Sequence, residues 1–238
     1  MKNIESALKD SALRYEIELT KEQTEQFQLY MELLLSWNEK INLTAITEPD
    51  DVAVKHFLDC LLLFKYCPFP QGEKCIDVGT GAGFPGIVLK IMRPDLRLTL
   101  LDGLNKRLVV LSDILEKLGL NADLLHERAE EAGRKPQHRL QYGFVSARAV
   151  ASLPVLCEYC LPFLKEEGIF AAMKGPNPEE EAVSAGKAVS VLGCTLERTE
   201  KYTLPNGEGR SLVLIRRTDG LPGAYPRHGA KIVKSPIQ

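Results

Sequence analysis

One string constrains this chain more than any other. Cys75-Ile-Asp-Val-Gly-Thr-Gly-Ala-Gly-Phe-Pro-Gly86 leads from an apolar strand through small residues into a segment whose Ile87, Val88, Leu89 and Ile91 recur at helical spacing. A chain reversing direction within so few residues needs backbone conformations that glycine adopts without a Cβ clash. Pro85 is tolerated there, because a helix's first turn does not use its N–H. Strand, glycine turn and helix form the opening unit of a doubly wound α/β sheet, whose ligands gather at the carboxyl ends of the strands.

The remaining chain has the texture that such a sheet requires. From residue 74 onward short apolar runs alternate with helical stretches, predicting strands at 74–78, 97–102, 122–126, 142–147, 169–174, 195–204 and 210–217. The last two runs are joined by Leu204-Pro-Asn-Gly-Glu-Gly209 with no helix between, which predicts an antiparallel hairpin at a sheet edge. Before Pro68-Phe-Pro-Gln-Gly72 the pattern is helical instead. Phe27, Tyr30, Met31, Leu34, Leu35, Trp37 and Ile41 form one stripe between residues 20 and 44. Val54, Phe57, Leu58, Leu61 and Leu62 form a second between 52 and 66, after the break at Glu48-Pro-Asp-Asp51. The expected organisation is an N-terminal helical extension over 1–67, followed by an α/β domain over 68–238 with a basic tail.

Size and charge bound the function. With 238 residues, 45% of them hydrophobic, the chain can build a sizeable core. A formal charge of −2 gives no protein-wide field for nucleic acid, so any polyanion must be met locally. Residues 1–60 carry 6 basic and 12 acidic groups, whereas 210–238 carry 6 basic groups and only Asp219. No signal-like or membrane-spanning run is apparent, and the six cysteines lack the spacing of a disulfide framework; a soluble, cytoplasmic protein with reduced thiols is expected. Cys157-Glu-Tyr-Cys160 lacks a second pair that would complete a zinc set, so it reads as buried thiols and no metal is expected.

The glycine turn alone leaves its ligand open, because Gly81-Ala-Gly83-Phe-Pro-Gly86 also satisfies the dinucleotide fingerprint and Asp102 follows Gly81 by 21 residues. Asp77, ending the first strand, argues against a pyrophosphate, since its charge would repel an anion and attract an ammonium or sulfonium. S-adenosylmethionine carries both cations and no phosphate. Asp102, ending the second strand, suits ribose hydroxyls with either cofactor type. Gly79, Gly81 and Gly83 would let the methionine end approach the backbone.

Further strings, read with this turn, make the sequence resemble the RsmG/GidB family of bacterial small-subunit rRNA guanine-N7 methyltransferases. They are Trp37-Asn-Glu-Lys-Ile-Asn-Leu-Thr44, His56-Phe-Leu-Asp59, Asp77-Val-Gly-Thr-Gly-Ala-Gly-Phe-Pro-Gly86, Lys106-Arg107, Arg128-Ala-Glu130, Ser146-Ala-Arg148-Ala149, Met173-Lys-Gly175 and Tyr225-Pro-Arg227. They span nearly the whole chain in order. The resemblance implies an α/β, Rossmann-like S-adenosylmethionine-dependent methyltransferase fold, with a mostly parallel seven-stranded sheet. It also implies methyl transfer to N7 of a guanosine in the 530 loop of 16S rRNA, with rRNA or the small ribosomal subunit as partner, and no DNA or membrane. Carried over by residue, cofactor contacts would be Gly79, Phe84, Ala129, Glu130 and Arg148. Cys60 after Asp59, Gly103 after Asp102 and His228-Gly-Ala-Lys-Ile232 in the tail depart from the family's usual pattern.

Guanine N7 already bears a lone pair, so its methylation needs no base to remove a proton, and positioning should dominate. Candidates for holding the base are Asn38, Asn42 and Arg148. Candidates for contacting RNA are Trp37, His56, Lys106, Arg107, Lys174, Arg210, Arg227 and Lys234. Each has a plain structural alternative: Trp37 as a core anchor, Asn38 and Asn42 in local hydrogen bonding near a helix end, His56 and Asp59 as an ordinary i, i+3 pair, and the cations as solvated surface. Two rival functions stay open, namely a methyltransferase for a small molecule or protein and a non-catalytic ribosome-assembly factor. Product identity separates the first, and absence of a methyl mark the second.

Overall fold

The computed structural model describes residues 2–237. Helices α1 (Glu5–Leu13) and α2 (Lys21–Asn38) are followed by a continuous helical passage: α3 (Pro49–Asp51), a π-helical segment (Val52–Leu58), α4 (Asp59–Leu61) and α5 (Leu63–Tyr66). Strands and helices then alternate: β1 (Lys74–Val78), α6 (Gly86–Met92), β2 (Arg97–Asp102), α7 (Asn105–Lys117), β3 (Asp123–His126), α8 (Ala129–Ala132), β4 (Tyr142–Arg148), α9 (Leu153–Cys160), β5 (Leu164–Lys174), α10 (Glu179–Val191), β6 (Cys194–Thr203), β7 (Gly209–Arg217) and α11 (Gly229–Lys234).

The seven strands form one sheet in the order β3-β2-β1-β4-β5-β7-β6. The first five are parallel, and β7 runs antiparallel between β5 and β6. The predicted hairpin is therefore present, with β6 as the outer strand and β7 inserted beside β5. Side chains alternate across the sheet as the pleat demands. Cys75, Phe144, Ile169, Ala171, Met173, Leu212 and Leu214 join a core shared with α1, α2, the helical passage, α6 and α7. Ile76, Val145, Phe170, Ala172, Val213 and Ile215 face α9, α10 and α11. The N-terminal helices thus share one apolar core with the first face of the sheet.

Two helical expectations need correction. Helix α2 begins with a capping box, in which Thr20 accepts from the Gln23 N–H and the Gln23 side chain accepts from the Thr20 N–H. It stops at Asn38 instead of continuing toward 44, because the Asn38 side chain satisfies the following loop: Oδ1 accepts from the N–H groups of Leu43 (2.8 Å) and Thr44 (2.9 Å), and Nδ2 donates to the Thr44 carbonyl. The second stripe is wider-wound than an α-helix over Val52–Leu58. Such π segments are uncommon and frequently occur where side chains are placed for function.

Candidate active site

The glycine turn is fastened from behind. The fully buried Asp77 accepts from Thr80 Oγ1 (2.7 Å) and the Gly86 N–H (3.1 Å) through Oδ2, and from Ser146 Oγ (3.0 Å) through Oδ1. Burial pushes its carboxyl up to about 6, against the pull of those hydrogen bonds. The structure therefore places Asp77 as a clamp inside the turn, with its carboxylate directed at protein donors. Helix α2 adds a second fastening that the sequence reading passed over: Tyr30 Oη donates to the Ala82 carbonyl at 2.7 Å. At Gly83, φ is +99° and an added Cβ would lie 2.6 Å from that hydroxyl, so a side chain is excluded twice over.

In front of the turn lies a cavity of about 110 Å³ lined by Gly79, Asp102, Gly103, Glu127, Arg128, Ala129, Glu130 and Val150. Asp102 accepts from the Gly81 N–H (3.0 Å) and the Leu104 N–H (2.9 Å), and Arg107 lies 3.3 Å from it. Oδ1 keeps a further lone pair for a ligand hydroxyl, whereas Oδ2 already accepts from both Gly81 and Arg107. Three carboxylates on the wall, Asp102, Glu127 and Glu130, against the single cation Arg128, and a backbone at Gly79 without a Cβ fit a neutral nucleoside attached to a cationic group better than a pyrophosphate. An added Cβ on Gly79 would meet Val150 Cγ2 at 2.8 Å, so this valine seals one side of the cradle. Gly81 acts through its N–H, whereas Gly83 and Phe84 lie outside this wall.

Phe84 instead packs against two residues that line a second cavity. Its ring stacks on His56 at 4.5 Å, and the Arg148 guanidinium lies 4.8 Å over it. This cavity, about 410 Å³, is lined by Lys55, His56 and Asp59 of the helical passage, Arg148 and Ala149 at the end of β4, Met173, Lys174 and Gly175 at the end of β5, Glu181 on α10, Arg210 on β7, and Ile46. Arg148 donates to the Lys55 carbonyl (3.1 Å) and to His56 Nδ1 (3.0 Å). A guanidinium only donates, so His56 Nδ1 accepts and the proton sits on Nε2, which faces Thr44 Oγ1 at 2.9 Å. Burial and the neighbouring Arg148 push the His56 imidazole down to about 3, keeping it neutral.

The basic side chains here all have acidic neighbours. Lys55 pairs with Asp51 and Glu208, both at 3.1 Å, and Lys174 with Glu181 at 2.7 Å. Arg210 pairs with Glu208 at 2.5 Å, and both Arg148 and Arg210 approach Asp59, at 3.5 and 3.9 Å. Between the two cavities runs the segment 148–150: Arg148 and Ala149 line the larger, Val150 the smaller. Ala149 adopts φ +55°, an unusual conformation for a residue with a Cβ.

Several sequence candidates fall outside both cavities. Trp37 Nε1 donates to Asp113 on α7 at 2.7 Å, making it an anchor between helices. Asn38 fastens its loop, and Asn42 is exposed beyond it. Lys106 and Lys234 are exposed on the surface. Arg227 is a correction: its backbone and guanidinium donate to the fully buried Glu158, with Nη2–Oε2 at 2.7 Å. Arg217 likewise is buried, donating to the carbonyls of Leu161, Leu164 and Leu192. Both side chains are held by partners within the fold. Lys55 lay outside the sequence candidates and Asp59 entered only through its pairing with His56; the spacing of four between Lys55 and Asp59 along the helical passage, flanking His56, was the available signal. Among the described residues no group of three His, Cys, Asp or Glu could hold a metal ion, and no helix is long and apolar enough to cross a membrane.

Comparison with known proteins agrees with this fold and these motifs. Residues 23–210 match the family described as GidB, rRNA small subunit methyltransferase G. The chain is 47% identical over 239 aligned positions to ribosomal RNA small subunit methyltransferase G of Desulforamulus reducens, covering 100% of both chains. It is 45% identical to the protein of the same name from Lactococcus lactis subsp. cremoris, covering 98% of this chain and 97% of the relative. Among solved structures, an S-adenosylmethionine-dependent methyltransferase from Aquifex aeolicus aligns over 77% of this chain and 98% of its own, with 20% identity and a TM-score of 0.54. A single-site mutant of the 16S rRNA (adenine(1408)-N(1))-methyltransferase from Catenulisporales acidiphilia aligns over 66% of this chain and 87% of its own, with 16% identity and a TM-score of 0.53. These structural likenesses show the fold.

Proposed function

The chain belongs to the rRNA small subunit methyltransferase G family, and from that premise we propose that it transfers a methyl group from S-adenosylmethionine to N7 of a guanosine in the 530 loop of 16S rRNA, acting on the small ribosomal subunit in the cytoplasm. The observation that carries this reading is the pair of cavities bordered by one segment, 148–150, with Arg148 and Ala149 on the larger and Val150 on the smaller. One has the acceptors of a nucleoside cradle, and the other gathers four cations around a pocket large enough for a base.

When bound, S-adenosylmethionine supplies an electrophilic methyl group on a sulfonium. Asp102 and Glu130 would accept from its ribose and adenine, and Gly79 would admit it to the backbone of the turn. Lys55, Arg148, Lys174 and Arg210 would receive the phosphates and the O6 face of the nucleotide, exchanging internal carboxylates for RNA. His56 stays neutral and holds Arg148 in place. The N7 lone pair is free without proton removal, so these residues act by orienting the base and excluding water, and none serves as a base. A guanine in a duplex hides N7 in a deep narrow groove, which favours a loop target presented singly.

The test incubates the protein with methyl-labelled S-adenosylmethionine and small subunits from a strain lacking this enzyme. Labelled 7-methylguanosine mapped to the 530 loop is the expected product. Label elsewhere, or none despite cofactor binding, would overturn the reading and favour another acceptor or a non-catalytic assembly role.

A further inference from the structure

Asp59 is the acidic residue of the larger cavity least explained by its protein neighbours. Its side chain is buried, with the residue 4% exposed, yet it lines the cavity. Oδ1 accepts from Tyr202 Oη at 2.9 Å. Oδ2 lies 3.5 Å from Arg148 and 3.9 Å from Arg210 and receives no hydrogen bond among the described residues. Those separations exceed the roughly 2.7–2.9 Å of a charge-assisted hydrogen bond. Both guanidiniums spend donors elsewhere: Arg148 on Lys55 and His56, Arg210 on Gly209 and Glu208. Two cations thus flank a carboxylate oxygen while leaving its lone pairs open to the cavity. A carboxylate oxygen that faces the cavity between two cations suits a donor brought by the ligand.

Resting on the function proposed above, we propose that Asp59 reads the target base by accepting from guanine N1–H and N2–H. Guanine presents those two donors side by side, opposite its N7 edge. Adenine offers an N1 acceptor there, which a carboxylate repels; cytosine and uracil lack the adjacent pair. With the N1–N2 edge on Asp59, the far side of the purine can face segment 148–150, which borders the cofactor cavity. The contact also favours the reaction itself. As the N7 lone pair forms the new N–C bond, the C–S bond breaks and its electrons return to sulfur, leaving positive charge on the purine. That charge makes N1–H and N2–H stronger donors, so the contact with Asp59 strengthens in the transition state. No proton needs to leave the base.

The test compares wild type with Asp59→Asn on subunits reconstituted with guanosine or inosine at the target; inosine keeps N1–H and N7 but lacks the N2 amine. Both proteins are first checked for equal S-adenosylmethionine affinity and thermal midpoint. Wild type is expected to methylate the inosine subunits about tenfold more slowly. Asp59→Asn should be slower on guanosine by about ten- to a hundredfold, with most of the preference over inosine gone. Equal wild-type rates on the two subunits, or a full guanosine preference retained in Asp59→Asn, would overturn the assignment; the wild-type comparison decides even if the variant does not fold. Absence of 7-methylguanosine on normal subunits would instead overturn the proposed function.

Discussion

The two cavities are built in opposite ways. Around the glycine turn, polar groups satisfy one another inside the protein: Asp77 holds Thr80 and Gly86, and Asp102 holds Gly81, Leu104 and Arg107. The larger cavity draws Lys55, Arg148, Lys174 and Arg210 from four remote parts of the chain and holds them by ion pairs near solvent. A cradle for one invariant ligand can be rigid. A surface for a polyanion needs cations whose partners can be exchanged. Fastened groups should therefore register in stability, and exchangeable ones in binding.

The largest effect is expected where a tail arginine crosses that division. If Arg227 is a fastener, Arg227→Ala leaves the Glu158 carboxylate buried without its partner and should lower stability by about 3 kcal/mol in denaturant titration. The salt dependence of subunit binding should not change; a shallower slope with unchanged stability would return Arg227 to the RNA surface.

Next comes Asp77. Its folded-state carboxyl sits at about 6, above the ordinary 3.8, so the folded protein takes up a proton before the unfolded chain does. Stability from this group rises as pH falls from about 6 toward 4, by about 1 kcal/mol per pH unit. His56, held near 3 against an ordinary 6.5, acts in the opposite direction below about 6.5. Because His56 is common to both proteins, the difference between wild type and Asp77→Asn isolates the carboxylate. That difference should move in favour of wild type on acidification, and a flat difference would show that the clamp holds no buried charge.

Lys174→Ala is expected to weaken subunit binding about tenfold and reduce the salt slope by about one, with little loss of stability. An equal loss of thermal midpoint would make the Lys174–Glu181 pair a fastener and blur the contrast. The smallest expected effect is Trp37→Phe, which removes the hydrogen bond to Asp113 at about 1 kcal/mol and leaves methyl transfer unchanged. A loss of subunit binding there would restore Trp37 as a base platform.

The same division explains what could be read before the structure. The bounds of β1 and β2 agree with the sequence pattern because apolar alternation and turn chemistry are local signals. The turn's fastening was partly legible: Asp77 stood out, but charge alone pointed it at the ligand, and only Thr80, Ser146 and the Gly86 N–H reveal where its lone pairs go. Tyr30 counted as one more apolar position, although a buried phenol needs a partner and found one at Ala82. The larger cavity was far less legible. A stripe at steps of three and four does not distinguish an α-helix from the π winding over Val52–Leu58, so the shared direction of Lys55, His56 and Asp59 stayed hidden. Arg227 looked free because its partner lies 69 residues away.

The place of β7 has a consequence for how this protein is made. It is the last strand in sequence, yet it lies inside the sheet, pairing with β5 on one side and β6 on the other. During synthesis β5 must therefore wait with an open, apolar edge until residues 209–217 have left the ribosomal exit tunnel. An unpaired edge is a template for association with other chains. The nascent protein is thus most exposed to misassembly late in translation, and a holding chaperone would have its greatest effect in that interval.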